Sequence, residues 1–213
     1  MFARIIGITL LSTLPVRAEP VTVAALGDSL TQGYGLPQDA GLVPQLQAWL
    51  RQHGAEVTLI NAGVSGDTTA GGLARVDWTL TPEVDGMIVA LGGNDLLRGI
   101  DPAVTRGNLA GILDAARKAD VPALLIGIGA PANYGAEFQA AFNGVYTDLA
   151  KGYDVPLIRS MLDPIVAARD PLSLMQPDGI HPNAKGVRMV VEGIGPQVLQ
   201  FVAALGACER GCS

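Results

Sequence analysis

Four side-chain types in this chain sit where they could serve acyl transfer: a hydroxyl, an imidazole, a carboxylate and a carboxamide. The hydroxyl is Ser29, in Gly27-Asp28-Ser29-Leu30, on a sharp turn that ends an apolar run. A serine at its free pKa is a weak nucleophile. It needs a neighbouring base, and the base needs a third group to hold it. The chain has only two histidines, His53 and His181. His53 lies in Arg51-Gln52-His53-Gly54, which reads as a helix end before a turn, where capping or solvation suffices. His181 follows Asp178 by three residues and precedes Pro182. Glycine and proline around it indicate a turn, on which Asp178 can reach the near imidazole nitrogen and leave the far one for Ser29. Attack on a carbonyl also builds negative charge on its oxygen, which preorganised donors stabilise. The candidates are the Ser29 N–H, the Gly63 N–H and the Asn94 carboxamide in Gly92-Gly93-Asn94-Asp95. Each could alone be an ordinary turn or cap residue.

Positioning these groups falls to alternating elements. Apolar, β-branched runs over residues 21–26, 57–62, 86–91, 123–128 and 156–158 have the length of buried strands. Between them lie helical patterns over 42–51, 69–78, 135–151 and 183–205. A further helix opens at Asp101-Pro102, an N-cap followed by proline at the first helical position, with Leu109, Ile112, Leu113 and Ala116 on one face. Pro196 is expected to kink or split the last helix. Strands alternating with helices imply an α/β fold with a parallel sheet covered on both faces. Ligand sites in such sheets lie beyond the carboxyl ends of the strands, where Gly27, Gly63 and Gly92-Gly93 fall.

At 213 residues the chain has room for one domain with a full core. Its net charge is −6 and it has no Lys/Arg block, so nucleic acid is not an expected partner. Residues 1–18 read as a secretory signal peptide. Arg4 precedes an apolar stretch over 5–14, and Val16-Arg17-Ala18 suits a peptidase. The expected product is an exported protein, periplasmic or secreted, with a domain over 19–206 and a tail over 207–213. No other stretch reads as long and apolar enough to span a bilayer, so no stable membrane insertion is expected once the signal is gone. The two cysteines, Cys208 and Cys212, are both in the tail, and a short disulfide or two free thiols are equally compatible with it. Neither histidine lies near them, so no metal site is expected.

Gly27-Asp28-Ser29-Leu30, Asn61-Ala62-Gly63, Gly92-Gly93-Asn94-Asp95 and Asp178-Gly179-Ile180-His181-Pro182-Asn183 resemble the four blocks of the SGNH (GDSL) hydrolase superfamily. Gly66-Asp67-Thr68-Thr69, Gly72-Leu73-Ala74-Arg75, Leu97-Arg98-Gly99 and Pro131-Ala132-Asn133-Tyr134-Gly135 resemble the thioesterase I, lysophospholipase L1 and arylesterase branch. The resemblance implies a three-layer α/β/α, flavodoxin-like fold with a five-stranded parallel sheet. It implies Ser29 as nucleophile, His181 as base and then acid, and Asp178 as orienting acid, with Ser29, Gly63 and Asn94 as the oxyanion hole. It places loops carrying Leu96, Leu97, Ile100, Asn133 and Tyr134 against substrate, although Leu96, Leu97 and Ile100 could equally be core residues. The expected reaction is hydrolysis of a small-molecule ester, thioester or lysophospholipid without metal or organic cofactor. A carbohydrate acetylesterase on the same fold and a non-catalytic flavodoxin-like binder are the alternatives.

Overall fold

In the computed structural model, residues 20–211 are described. The leader expected over residues 1–18 and Cys212 lie outside them. Five strands form one sheet: β1 (Val21–Gly27), β2 (Val57–Gly63), β3 (Gly86–Ala90), β4 (Ala123–Ile126) and β5 (Leu157–Ile158). All pair in parallel, in the order β2-β1-β3-β4-β5. The order reverses between β1 and β3, so their carboxyl ends open a crevice where a ligand can sit.

Parallel strands need crossovers, and helices supply them. The crossovers carry α1 (Ser29–Gln32), α2 (Leu42–Gln52), α3 (Thr69–Thr79), α4 (Gly93–Leu97), α5 (Pro102–Lys118) and α6 (Ala136–Tyr153), and α7 (Asp163–Val166) and α8 (Ala184–Gly211) follow the last strand. Asp101 caps α5 by accepting from the Ala103 N–H, with Pro102 at its start as its sequence implies. Strand side chains alternate between two cores. Val23, Ala25, Ile88, Leu124 and Ile126 face α2 and α8, whereas Leu26, Met87, Val89 and Leu125 face α5 and α6. The result is the three-layer α/β/α architecture with helices on both faces of the sheet.

Two expectations are corrected. Of the kink or split expected at Pro196, the split does not occur: α8 runs unbroken past it to Gly211. Proline removes one N–H and so frees a carbonyl at Glu192. Both Glu192 and Pro196 are on the exposed side, where water can take that bond. The same helix is also long and apolar enough, by composition, to cross a membrane. Its apolar residues, among them Val190, Val191, Ile194, Val198 and Val202, are instead buried against the sheet and α2. Their hydrophobicity is that of a core helix.

Candidate active site

β1 delivers Ser29. The strand ends at Gly27, and Asp28 caps α1 by accepting from the Leu30 N–H at 3.0 Å. Ser29 is the first residue of α1, so its own N–H has no acceptor within the helix. Burial pushes the Asp28 carboxyl up to about 6, against the opposing pull of the Leu30 N–H and of His181.

The imidazole arrives from the far end of the chain. Gln176 and Gly179 close a turn, with Gly179 at φ 67°, a conformation that favours glycine. The turn lays Asp178 beside His181. Asp178 Oδ2 is 2.7 Å from His181 Nδ1, and Asp178 Oδ1 accepts from the N–H groups of Ile180 and His181 at 2.9 and 3.0 Å. The His181 backbone N–H, the imidazole and the Ile180 N–H together hold the Asp178 carboxyl down to about 2. On the other side of the ring, His181 Nε2 is 2.8 Å from Ser29 Oγ. With Asp178 accepting from Nδ1–H, Nε2 carries the lone pair that can take the serine proton.

β3 delivers Asn94, near the start of α4, and the residue lines the same cavity as Ser29 and His181. Asn94 is anchored by its neighbour. Asp95 is fully buried and accepts from the Thr69 N–H at 2.8 Å and from the hydroxyls of Thr69 and Thr105. Gly63 ends β2. A Cβ there would strike the Gln32 backbone at 2.3 Å, so its missing side chain lets β2 close on α1. Its N–H donates to Asn61 Oδ1 at 3.0 Å, and the residue stands outside the cavity lining.

The cavity has a volume of about 530 Å³. Leu96, Leu97, Ile128, Met175 and Ile180 give it apolar walls. Ile100, Asn133 and Tyr134, expected against substrate, are not in that lining. α4 ends at Leu97, and Gly99 at φ 62° turns the chain before Ile100. Tyr134 stacks on Phe138 and packs toward the core below α6, and Asn133 is exposed. Ile128, Met175 and Ile180 were not anticipated, because two loops far apart in sequence, one after β4 and one before α8, bring them together. A second cavity of about 470 Å³ opens at the amino ends of β4 and β5 near Arg117 and Tyr153. It offers neither a nucleophile nor an imidazole.

Sequence reasoning also quoted Arg75 only within a family motif, without a role, and missed Tyr34 and Gln176. Arg75 on α3 donates to the carbonyls of Ala62 and Gly27 at 2.7 and 2.9 Å and pairs with Asp67 at 2.7 Å. An arginine on the strand-facing side of an amphipathic helix was the available signal.

A parallel sheet whose reversal point carries a serine, an imidazole and a carboxylate in contact defines the class of α/β serine hydrolases. The chain belongs to the GDSL-like lipase/acylhydrolase family, whose profile matches residues 25–189. It is an SGNH-type serine hydrolase. Among curated relatives, it is 37% identical over 191 residues to esterase TesA of Pseudomonas aeruginosa, covering 89% of this chain and 94% of that protein. It is 36% identical over 183 residues to thioesterase 1/protease 1/lysophospholipase L1 of Escherichia coli K12, covering 85% of each. Among solved structures, AlinE4, an SGNH-hydrolase family esterase, superposes with a TM-score of 0.72 at 42% identity over 87% of this chain and 98% of that one.

Proposed function

We propose that this enzyme cleaves carboxylic esters and thioesters through an acyl-enzyme on Ser29. His181 takes the Ser29 proton as Oγ attacks the carbonyl carbon. The oxyanion so formed is met by the Ser29 N–H and the Asn94 carboxamide. Gly63 is the third donor in this reading, although its N–H is held by Asn61 Oδ1 at 3.0 Å in this structure. The tetrahedral intermediate collapses as His181 returns the proton to the departing alcohol or thiol. Water then attacks the acyl-enzyme by the same route, releasing the acid and free Ser29. Asp178 holds the imidazole tautomer and balances the imidazolium.

The observation that carries this reading is the unbroken line from Asp178 through His181 to Ser29, with contacts of 2.7 and 2.8 Å. The apolar walls favour an acyl group over a sugar in the cavity, which sets the esterase reading above a carbohydrate acetylesterase. Export is part of the proposal, resting on the leader pattern in residues 1–18.

Turnover of p-nitrophenyl esters and of an acyl-CoA tests it. Ser29→Ala abolishes both activities while leaving the thermal midpoint near wild type. Asn94→Ala lowers kcat by about a hundredfold or more with a small change in KM. Wild-type turnover by Ser29→Ala overturns the assignment.

A further inference from the structure

We propose that Tyr34 is a positioning residue for the base, its ring stabilising the imidazolium that His181 becomes in the transition state. The inference rests on His181 acting as the base.

The two rings lie 4.7 Å apart between centroids and are tilted by 40°. Both in-plane nitrogens of His181 are already engaged, by Asp178 and by Ser29. The rest of the ring is free for packing, and the tilted Tyr34 ring lies against it. Core burial does not account for this ring, because Tyr34 is 50% exposed.

Its backbone is nevertheless held at both ends. The Tyr34 N–H donates to the Ser29 carbonyl at 3.0 Å. The Tyr34 carbonyl accepts from Gln176 Nε2 at 2.8 Å, and that same nitrogen donates to the Pro182 carbonyl at 3.0 Å. The Gln176 N–H donates to the His181 carbonyl at 2.7 Å. Gln176 is therefore a strut between the loop after the serine and the loop of the histidine. It fixes Tyr34 relative to His181 rather than to the core.

An aromatic face carries negative potential and attracts a cation within about 6 Å of its centroid. A neutral imidazole gains little from it. The gain appears as the serine proton arrives, so it lowers the barrier without tightening substrate binding. The other charged groups facing His181 are Asp178 on its own turn and Asp28 at the start of α1. Among the described residues, no Lys or Arg lines the cavity to oppose them.

Steady-state kinetics on p-nitrophenyl acetate and p-nitrophenyl octanoate, for wild type, Tyr34→Leu, Tyr34→Phe, Gln176→Leu and His181→Ala, tests this. Tyr34→Leu loses about tenfold in kcat, by the same factor on both esters and with KM unchanged. Tyr34→Phe keeps the ring and recovers most of the loss. Gln176→Leu, which frees the Tyr34 loop, repeats the kcat-only pattern and provides a second route should Tyr34→Leu fold poorly. A loss confined to KM, or seen only with the octanoate, makes Tyr34 a wall of the acyl cavity and overturns the inference. So does a Phe variant as impaired as the Leu variant. An inactive His181→Ala beside a fully active Tyr34→Leu overturns this inference alone. A fully active His181→Ala overturns the base assignment beneath it.

Discussion

Asp95 takes both the N–H and the hydroxyl of Thr69 onto one carboxylate, joining α4 to the start of α3 across 26 residues. Thr105 on α5 and, through Thr69, Asn108 complete the knot. Asn94 is the residue just before Asp95, so this buried network fixes the backbone that carries its carboxamide.

Asp95→Ala leaves the Thr69 N–H and two hydroxyls buried without their acceptor. Each such orphan costs about 1–3 kcal/mol, so a total loss of about 3 kcal/mol or more is expected from urea unfolding. Asp95→Asn keeps one acceptor oxygen and loses less. Equal stability of Asp95→Ala and wild type refutes the anchoring role.

Arg75 is the corresponding anchor for the other side of the site. Its guanidinium meets Gly27, Ala62 and Asp67, which fixes the end of β1 just before Ser29 and the end of β2 beside Gly63. A lysine ammonium cannot satisfy three acceptors spread around a planar fork. Arg75→Lys is expected to lose about 1–2 kcal/mol of stability and about tenfold in kcat, with KM little changed. An Arg75→Lys enzyme with wild-type kcat shows that Gly27 and Gly63 hold their places without it.

Much of the fold and of the site is legible in the sequence. The strands were legible because a parallel sheet buried on both faces demands apolar runs, and Ser29, Asn94 and Gly63 sit where those runs stop. His181 was legible because a carboxylate three residues earlier and a glycine between them make a turn that can hold an imidazole. The acyl cavity was not legible. Ile128, Met175 and Ile180 meet Leu96 only after the crossovers have brought separate loops together, while Tyr134, closer to a family motif, is claimed by Phe138. The roles of Arg75 and Gln176 were missed for the same reason, since each ties a near neighbour to a partner far along the chain, Gly27 at 48 residues and Tyr34 at 142. The course of α8 past Pro196 turned on which side faced water, a fact of packing.

Two carboxyls give opposite pH signatures. Asp28 is raised to about 6 from 3.8, so between those values the folded state holds a proton that the unfolded state has lost. Stability therefore falls as pH rises through that window, and the cost persists above it. Asp28→Asn keeps an acceptor for the Leu30 N–H and carries no charge. It is expected to be more stable than wild type by about 1–3 kcal/mol near pH 7.5, with the advantage vanishing near pH 4. Asp178, lowered to about 2, acts the other way: its contribution is full above the unfolded value and is lost as pH falls toward 2. Thermal unfolding of both proteins across this range is the check, and an Asp28→Asn advantage that does not change with pH contradicts the burial of a charge there.

The most direct test of Ser29 as the acyl-enzyme nucleophile is intact-protein mass spectrometry after treatment with a fluorophosphonate, followed by peptide mapping. A single adduct on Ser29 is expected, absent from Ser29→Ala and formed far more slowly by His181→Ala. An adduct that survives in Ser29→Ala, or that maps to another residue, contradicts the account.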